Sequence, residues 1–193
     1  RRYGLAGAGP AHRLALLETP KEPRYFERAR SVVLVSNETA LRAMAARAEA
    51  LGYPATIVTS TVSGEAREVG ERVVREWRAA GERTALLYGG ETTVTVTGAG
   101  RGGRNLEVAL AAQRFVGDGE IVVTVASDGH DNGDFAGAVA DSEARGNARR
   151  LGLDLDAYLA DNDSYGFFER SGDGLVTGST GSNVADLIVA LRR

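Results

Sequence analysis

Two short apolar runs, Ala55-Thr-Ile-Val-Thr59 and Thr84-Ala-Leu-Leu-Tyr88, flank the segment GEAREVGERVVREWRAA at residues 64–80. The apolar residues of the middle segment recur at helical spacing on one face: Val69, Val73 and Trp77. Apolar runs of this length are typical of strands that are covered on both faces of a parallel sheet. Because a helix is the usual connection between two such strands, the three segments predict a βαβ unit.

The same pattern extends towards the N-terminus. Ser31-Val-Val-Leu-Val-Ser36 is another apolar run of strand length. Asn37 can cap the following segment, where residues 38–51 have helical apolar spacing and Gly52 stands where a helix would stop. Residues 31–88 therefore predict a parallel βαβαβ segment.

The pattern changes after Gly89-Gly90. Thr93-Val-Thr-Val-Thr97 alternates strictly, which is typical of an antiparallel or edge strand, so the sheet is predicted to be mixed. The remaining predicted elements are a helix at 105–115, a buried strand at 121–126, helical stretches at 137–151 and 155–168, and short strands near Leu175 and Leu187. The predicted fold class is a layered α/β/α arrangement. The predicted domain boundary lies near Gly81, between residues 1–80 and residues 81–193.

Composition excludes several classes of protein. The chain has 193 residues, no cysteine, and 23 basic against 26 acidic residues. It cannot be a disulfide scaffold, and its apolar runs are too short for a transmembrane helix. The net charge of -3 and the lack of a dense Lys/Arg block argue against non-specific binding to nucleic acid or to a membrane surface. We expect a cytoplasmic protein.

A glycine-rich loop, Gly98 to Gly103, lies between a predicted strand and a predicted helix. It matches the G-x-G-x-x-G pattern of dinucleotide-binding proteins, although the preceding strand is not buried and apolar as that fold requires. Backbone N–H groups at the start of a helix favour an anion. Arg104 stands at the same position, where its charge opposes the helix dipole, so binding a ligand anion explains its placement better than helix stability does. The alternatives are a plain connecting loop and a solvated surface arginine.

A second polar loop, Ser127-Asp-Gly-His-Asp-Asn-Gly-Asp134, follows the most apolar predicted strand. Ligands of α/β proteins usually bind at such strand ends. Asp128, Asp131 and Asp134 are candidate Mg²⁺ ligands, and an EF-hand is excluded because Val139 occupies the position that requires glutamate. The alternative is a polar turn whose side chains satisfy their own backbone.

A third loop, Gly178-Ser-Thr-Gly-Ser-Asn183, is rich in hydroxyl groups and backbone donors. Such a loop can hold a carboxylate or a phosphate, or it can be an ordinary turn. Neither a Walker A motif nor a G-x-S-x-G elbow occurs in the chain.

Taken in order, four motifs resemble the series found in the MOFRL domain, which is the C-terminal part of class II glycerate 2-kinases. They are Gly89-Gly-Glu-Thr-Thr93, Gly102-Gly-Arg-Asn-Leu-Glu107, Ser127-Asp-Gly129 with Ala136-Gly-Ala138, and Gly178-Ser-Thr-Gly-Ser-Asn-Val184. Four upstream stretches are similar to the segment that precedes this domain in the family: Glu18-Thr-Pro-Lys21, Ser36-Asn37, Leu51-Gly-Tyr53 and Gly64-Glu-Ala-Arg67. The resemblance covers nearly the whole chain.

The resemblance implies a kinase that uses ATP and Mg²⁺ to phosphorylate the 2-hydroxyl of glycerate, giving 2-phosphoglycerate. It assigns the catalytic roles to Arg104 and Asp128, and the metal to Asp128 and Asp131. Glu91 and Glu107 would orient neighbouring groups or substrate. The implied substrate- or nucleotide-binding residues are Glu91, Thr92, Gly102, Gly103, Asn105, Glu107, Gly129, Ser179, Thr180, Gly181 and Asn183.

The resemblance also implies a partner. Family members carry an N-terminal domain with a catalytic lysine, and we expect no counterpart of it within residues 1–193. We therefore expect little activity without that domain, supplied in the same polypeptide or as a separate chain, and a homodimer is also possible. Leu106 stands where family members commonly have glutamine. Two other functions remain open: a non-catalytic module that binds a small anion or nucleotide, and a dinucleotide-binding fragment of an oxidoreductase.

Overall fold

A computed structural model describes residues 19–192, which form two units that meet in sequence at Leu34 and Val35. The first unit contains a 3₁₀ helix at Pro23–Tyr25, and residues 29–34 have no regular secondary structure. The strand predicted at 31–36 is therefore wrong. An apolar run becomes a strand only when a neighbouring strand takes up its backbone N–H and C=O groups, and residues 19–34 contain no such neighbour.

The second unit is built around one six-stranded mixed sheet; with its strands numbered in chain order from β1 (Ala55–Val62) to β6 (Asp186–Arg192), their order in the sheet is β1-β2-β6-β3-β4-β5. The β1 and β2 strands are parallel, and every other neighbouring pair is antiparallel. Its elements are α1 (Asn37–Ala50), β1 (Ala55–Val62), α2 (Ala66–Ala80), β2 (Ala85–Gly90), α3 (Arg104–Gln113), β3 (Glu120–Ala126), β4 (Gly137–Asp141), α4 (Ser142–Arg150), α5 (Leu155–Ala160), α6 (Ser164–Ser171), β5 (Gly174–Leu175) and β6 (Asp186–Arg192). The predicted α/β class is confirmed, with one parallel βαβ unit, β1-α2-β2.

Helices cover both faces of the sheet. Successive side chains of β2 point to opposite faces, so their packing partners show which helices lie on each face. Leu86 and Tyr88 join a core cluster that contains α2 and α3 residues, among them Trp77. Leu87 packs with Leu41 of α1 in a separate cluster. The fold is therefore layered as predicted, with α2 and α3 on one side of the sheet and α1 on the other.

The N-terminus of α1 differs from the prediction in one detail. Ser36, not Asn37, is the N-cap: its hydroxyl accepts from the Thr39 backbone, and the Thr39 hydroxyl accepts from the Ser36 backbone. This reciprocal pair satisfies two backbone donors that the helix leaves free. The Asn37 side chain instead donates to the carbonyl of Val184, at 2.8 Å, and so ties α1 to the start of β6.

Two further elements were predicted wrongly. Residues 93–97 form only a bridge between Thr93 and Glu65, because side chains rather than a strand ladder hold this segment. Residues 137–141 were predicted as helix and form strand β4, which pairs along its whole length with β3. Small residues such as Ala138 and Ala140 have a high helix propensity, but pairing with a neighbouring strand outweighs it.

The helices of this unit are short. The longest of those described, α2, has 15 residues. No helix within residues 19–192 is both long and apolar enough to cross a bilayer. The sheet joins elements on both sides of Gly81, and the domain boundary expected there stays a prediction.

Candidate active site

A cleft of about 580 Å³ opens at the N-terminus of α3. Five predicted site residues line it: Gly102, Gly103, Arg104, Glu107 and Asp131. The other seven lining residues were not predicted, and four of them have polar side chains: Arg101, His130, Asn132 and Asn162. Residues 100–104 of the glycine loop and residues 130–132 of the second polar loop therefore lie together, although α3 and β3 separate them in the sequence.

A carboxyl group of the chain itself, that of Asp131, occupies the N-terminus of α3. The buried carboxylate of Asp131 accepts from the backbone N–H of Leu106 at 2.8 Å and from the amide of Asn105 at 3.4 Å. Burial raises the pKa of Asp131, and the hydrogen bond from Leu106 partly offsets that effect. Because Asp131 caps the helix, the free backbone donors expected here for a ligand are already partly used.

The glycine loop is explained by close packing rather than by a dinucleotide. A Cβ atom at Gly98 would overlap the carbonyl oxygen of Asp161, and one at Gly103 would overlap the backbone and carboxylate of Asp131. Backbone bonds hold this approach together, for example from the N–H of Gly100 to the carbonyl of Asp161 at 2.9 Å. The glycine spacing that matched G-x-G-x-x-G thus has a structural cause within the chain.

Arg104 lies between two carboxylates of its own chain. Its Nη1 is 3.3 Å from Oε2 of Glu91, and its Nε is 3.3 Å from Oδ2 of Asp186. The Arg104 side chain is 42% exposed, whereas that of Asp186 is only 10% exposed. Burial raises the pKa of Asp186, while the Asn105 side chain and the Arg104 charge favour its ionised form. Arg104 is therefore fixed on one side and open to the cleft on the other.

Glu107 is the centre of a buried polar network. Its Oε1 accepts from Nε of Arg67 at 2.6 Å and from the amide of Asn162 at 3.2 Å. The Arg67 side chain is 33% exposed and that of Glu107 only 1%. Burial raises the pKa of Glu107, and the hydrogen bond from Arg67 acts in the opposite direction. The network joins α2 to α3 and ends in the wall of the cleft.

Asn162 is a site residue that the sequence analysis missed. Its side-chain oxygen accepts from the backbone N–H of Thr97 at 2.7 Å and of Gly98 at 3.0 Å. Its backbone has a positive φ of 56°, in the left-handed region that asparagine tolerates better than most residues. The sequence Asp-Asn-Asp at 161–163 carries the signal for such a turn, but nothing local connects it to residues 97–98.

The Asp128 loop and the Gly178 loop are bound to each other beside the cleft. The Thr180 N–H donates to the carbonyl of Asp128 at 3.1 Å, and the Asn183 amide to its carboxylate at 3.4 Å. The His130 ring lies 3.0 Å from the Ser179 hydroxyl and also lines the cleft. Asp128, Ser179, Thr180 and Asn183 thus form a second group of predicted residues, and Gly129 and Gly181 belong to the same two loops.

Two predicted residues lie beneath the cleft instead of in its wall. Thr92 and Asn105 are buried, and with Asp186 they line a cavity of about 10 Å³. A cavity of this size holds at most one water molecule. Asn105 favours the ionised form of Asp186, which is one of the two carboxylates beside Arg104.

The predicted Mg²⁺ ligands are not arranged as a metal site. Within residues 19–192, no group of three or more His, Cys, Asp or Glu side chains could hold a metal ion. Asp131 is used by α3, and Asp128 accepts from the N–H of His130 at 3.0 Å. A Mg²⁺ ion here would therefore depend on phosphate oxygens and water for most of its ligands.

Comparison with known proteins points to one family. Residues 84–186, more than half of the chain, match the MOFRL family. The chain is 35% identical to the glycerate 2-kinase of Pyrococcus horikoshii, in an alignment of 169 positions that covers 82% of this chain and 38% of that protein. It is also 35% identical to the D-glycerate 2-kinase of Thermotoga maritima, in an alignment of 201 positions that covers 98% of this chain and 47% of that protein.

Solved structures give the same result. The fold resembles the crystal structure of glycerate kinase from Thermotoga maritima with a TM-score of 0.77 and 36% identity, covering 82% of this chain and 41% of that one. It resembles a protein from Pyrococcus horikoshii OT3 with a TM-score of 0.79 and 34% identity, covering 84% and 40%. The chain thus spans less than half the length of each of these proteins.

Proposed function

The chain belongs to the MOFRL family, and from this we propose that it supplies one wall of the active site of a glycerate 2-kinase. The proposed reaction transfers the γ-phosphoryl group of ATP to the 2-hydroxyl of glycerate, giving 2-phosphoglycerate and ADP. The relatives named glycerate 2-kinase support the substrate and the reaction class.

The observation that carries the proposal is the position of Arg104 in the cleft. In the reaction, the hydroxyl oxygen forms a bond to the γ-phosphorus, the bond from that phosphorus to the ADP oxygen breaks, and the hydroxyl proton is released. Such a transfer needs positioning and charge neutralisation more than covalent catalysis. A guanidinium that Asp186 and Glu91 hold in place, with its outer edge exposed, meets that need.

The other residues have supporting roles. Glu107, held by Arg67 and Asn162, fixes the wall of the cleft next to the substrate. The loops of Asp128 and Thr180 supply polar contacts to the nucleotide phosphates. For a Mg²⁺ ion bound to ATP, the carboxylate of Asp128 is the ligand that we propose, and the roles of the other residues do not depend on the ion.

A second domain completes the proposed site. The relatives are more than twice as long as the part that this chain matches, and the side chain of Arg104 remains 42% exposed. We assign the opposite wall of the cleft to that domain, in the same polypeptide or in a separate chain. Closing the cleft would exclude water from the transferred phosphoryl group.

The test is phosphoryl transfer by the complete gene product. We expect ADP formation that requires ATP and one enantiomer of glycerate, with 2-phosphoglycerate identified by ³¹P NMR. Arg104→Ala should lower kcat by about 10²–10³-fold, as loss of a charge-stabilising donor does in other enzymes. The matched control Arg42→Ala changes an exposed arginine on α1 and should leave kcat unchanged. Nucleotide binding without any turnover would favour the non-catalytic module instead.

A further inference from the structure

Arg101 lies at the rim of the cleft on a backbone that is fixed from both sides. Its N–H donates to a carboxylate oxygen of Asp163 at 3.1 Å, and its carbonyl accepts from the N–H of Tyr165 at 2.9 Å. The residue itself is exposed and lines the cleft. Its Cα position is therefore set by the α5–α6 turn and not by the loop alone.

The guanidinium of Arg101 is also oriented. It lies 3.6 Å over the ring centroid of Tyr165, whose own ring packs 4.8 Å from that of Phe135. Tyr165 is only 6% exposed, so the surface beneath the guanidinium is rigid. Stacking uses the face of the guanidinium. The N–H donors at its edge remain free to bind one oxyanion through two parallel hydrogen bonds.

The charge of Arg101 is not balanced within its own unit. Arg104 faces Glu91 and Asp186, and Arg67 faces Glu107. Among residues 35–192, the guanidinium of Arg101 has no acidic partner within 4.0 Å. A fixed cation beside a cavity, without an internal counter-charge, favours an anion from outside.

We propose that Arg101 binds an oxyanion of the ligand, a phosphate or a carboxylate, next to the phosphoryl group that Arg104 contacts. The identity of that ligand rests on the proposed kinase function, but the anion site itself does not. Arg101 is a binding residue in this proposal and makes no bond to the reacting atoms.

The experiment measures binding by isothermal titration to the complete gene product. The probes are inorganic pyrophosphate, ATP, 2-phosphoglycerate and glycerate. Arg101→Gln should weaken binding of the anion it contacts about tenfold or more, because a charged bidentate contact is lost. Arg101→Lys keeps the charge but not the planar edge, so a loss of a few-fold is expected. Arg42→Gln is the matched control, since Arg42 is exposed on α1 and paired with Glu38.

The probes separate the two sources of the oxyanion. A loss confined to pyrophosphate and ATP assigns Arg101 to the nucleotide phosphates, and a loss with glycerate assigns it to the substrate carboxylate. If pyrophosphate binds and its binding depends on Arg101, but neither ATP nor glycerate binds, the anion site at Arg101 is supported and the proposed kinase function is rejected. If the enzyme turns over and Arg101→Gln binds all four probes within twofold of the wild-type affinity, the proposed kinase function stands and the proposed anion site at Arg101 is rejected. Absence of binding by every probe to the wild type also rejects it.

Discussion

Replacing Arg67 tests the buried network beneath the cleft. In Arg67→Gln, the carboxylate of Glu107 loses its bond from Nε at 2.6 Å and keeps only the amide of Asn162. Arg67 also donates to the carbonyl of Leu159, which would lose that partner. Removing one partner of a fully buried ion pair costs about 3–5 kcal/mol. Because Arg67 is 33% exposed, we expect a smaller loss of about 2–3 kcal/mol in the free energy of unfolding.

The loss should depend on pH in a defined direction. Burial already raises the pKa of Glu107 in the folded protein, and removing Arg67 takes away the partner that opposes this effect. For an acid with a raised folded pKa, stability is lost as pH rises from the unfolded pKa through the folded one. Below about pH 4, where Glu107 is protonated in both states, the variant should lose least. The loss should be larger at pH 8 than at pH 5.

Urea unfolding at pH 5 and pH 8 measures both quantities. A loss of 2–3 kcal/mol lowers the midpoint by roughly 1–1.5 M for an m-value of about 2 kcal/mol/M. Glu107→Gln in the Arg67→Gln background should recover part of the loss, because it removes the uncompensated charge. Arg42→Gln breaks an exposed pair and should cost less than about 0.5 kcal/mol. A loss of unfolding free energy that is independent of pH, or smaller than about 1 kcal/mol, would contradict the role of Arg67 in balancing the Glu107 carboxylate.

Three further substitutions test the elements around the cleft. Gly98→Ala forces a Cβ into the Asp161 carbonyl and should cost about 1–3 kcal/mol in thermal or urea unfolding. Asp131→Ala removes the cap of α3 and should cost about 1–2 kcal/mol; since burial raises the pKa of Asp131, the cost should shrink as pH rises above about 4. Asn162→Asp places a second carboxylate beside Glu107, and urea unfolding should show a loss that appears at neutral pH and fades towards pH 4.

The predicted elements that proved right are those whose local pattern agrees with their tertiary partners. Helix α2 places Val69, Val73 and Trp77 on one face, and all three are buried in the same core cluster. The predicted strand at 31–36 and the extended segment at 93–97 failed because a strand is defined by its neighbour. The sequence pattern of a single segment carries no information on which neighbour is present.

The part of the candidate site that has a local sequence pattern could be predicted, and the contacts between elements could not. Gly102 to Glu107 lie at a helix start, where sequence alone indicates a preference for anions. What the sequence could not indicate was that the carboxyl group of Asp131 already occupies that position, or that Glu91 and Asp186 hold Arg104. These contacts join residues on separate elements, and only the fold brings them together.

A crystal structure of the complete gene product with an unreactive ATP analogue and glycerate would show where the γ-phosphate binds. We expect it in the cleft at the N-terminus of α3, within hydrogen-bonding distance of the Arg104 guanidinium. A nucleotide bound away from this cleft, with Arg104 contacting only Glu91 and Asp186, would contradict this expectation.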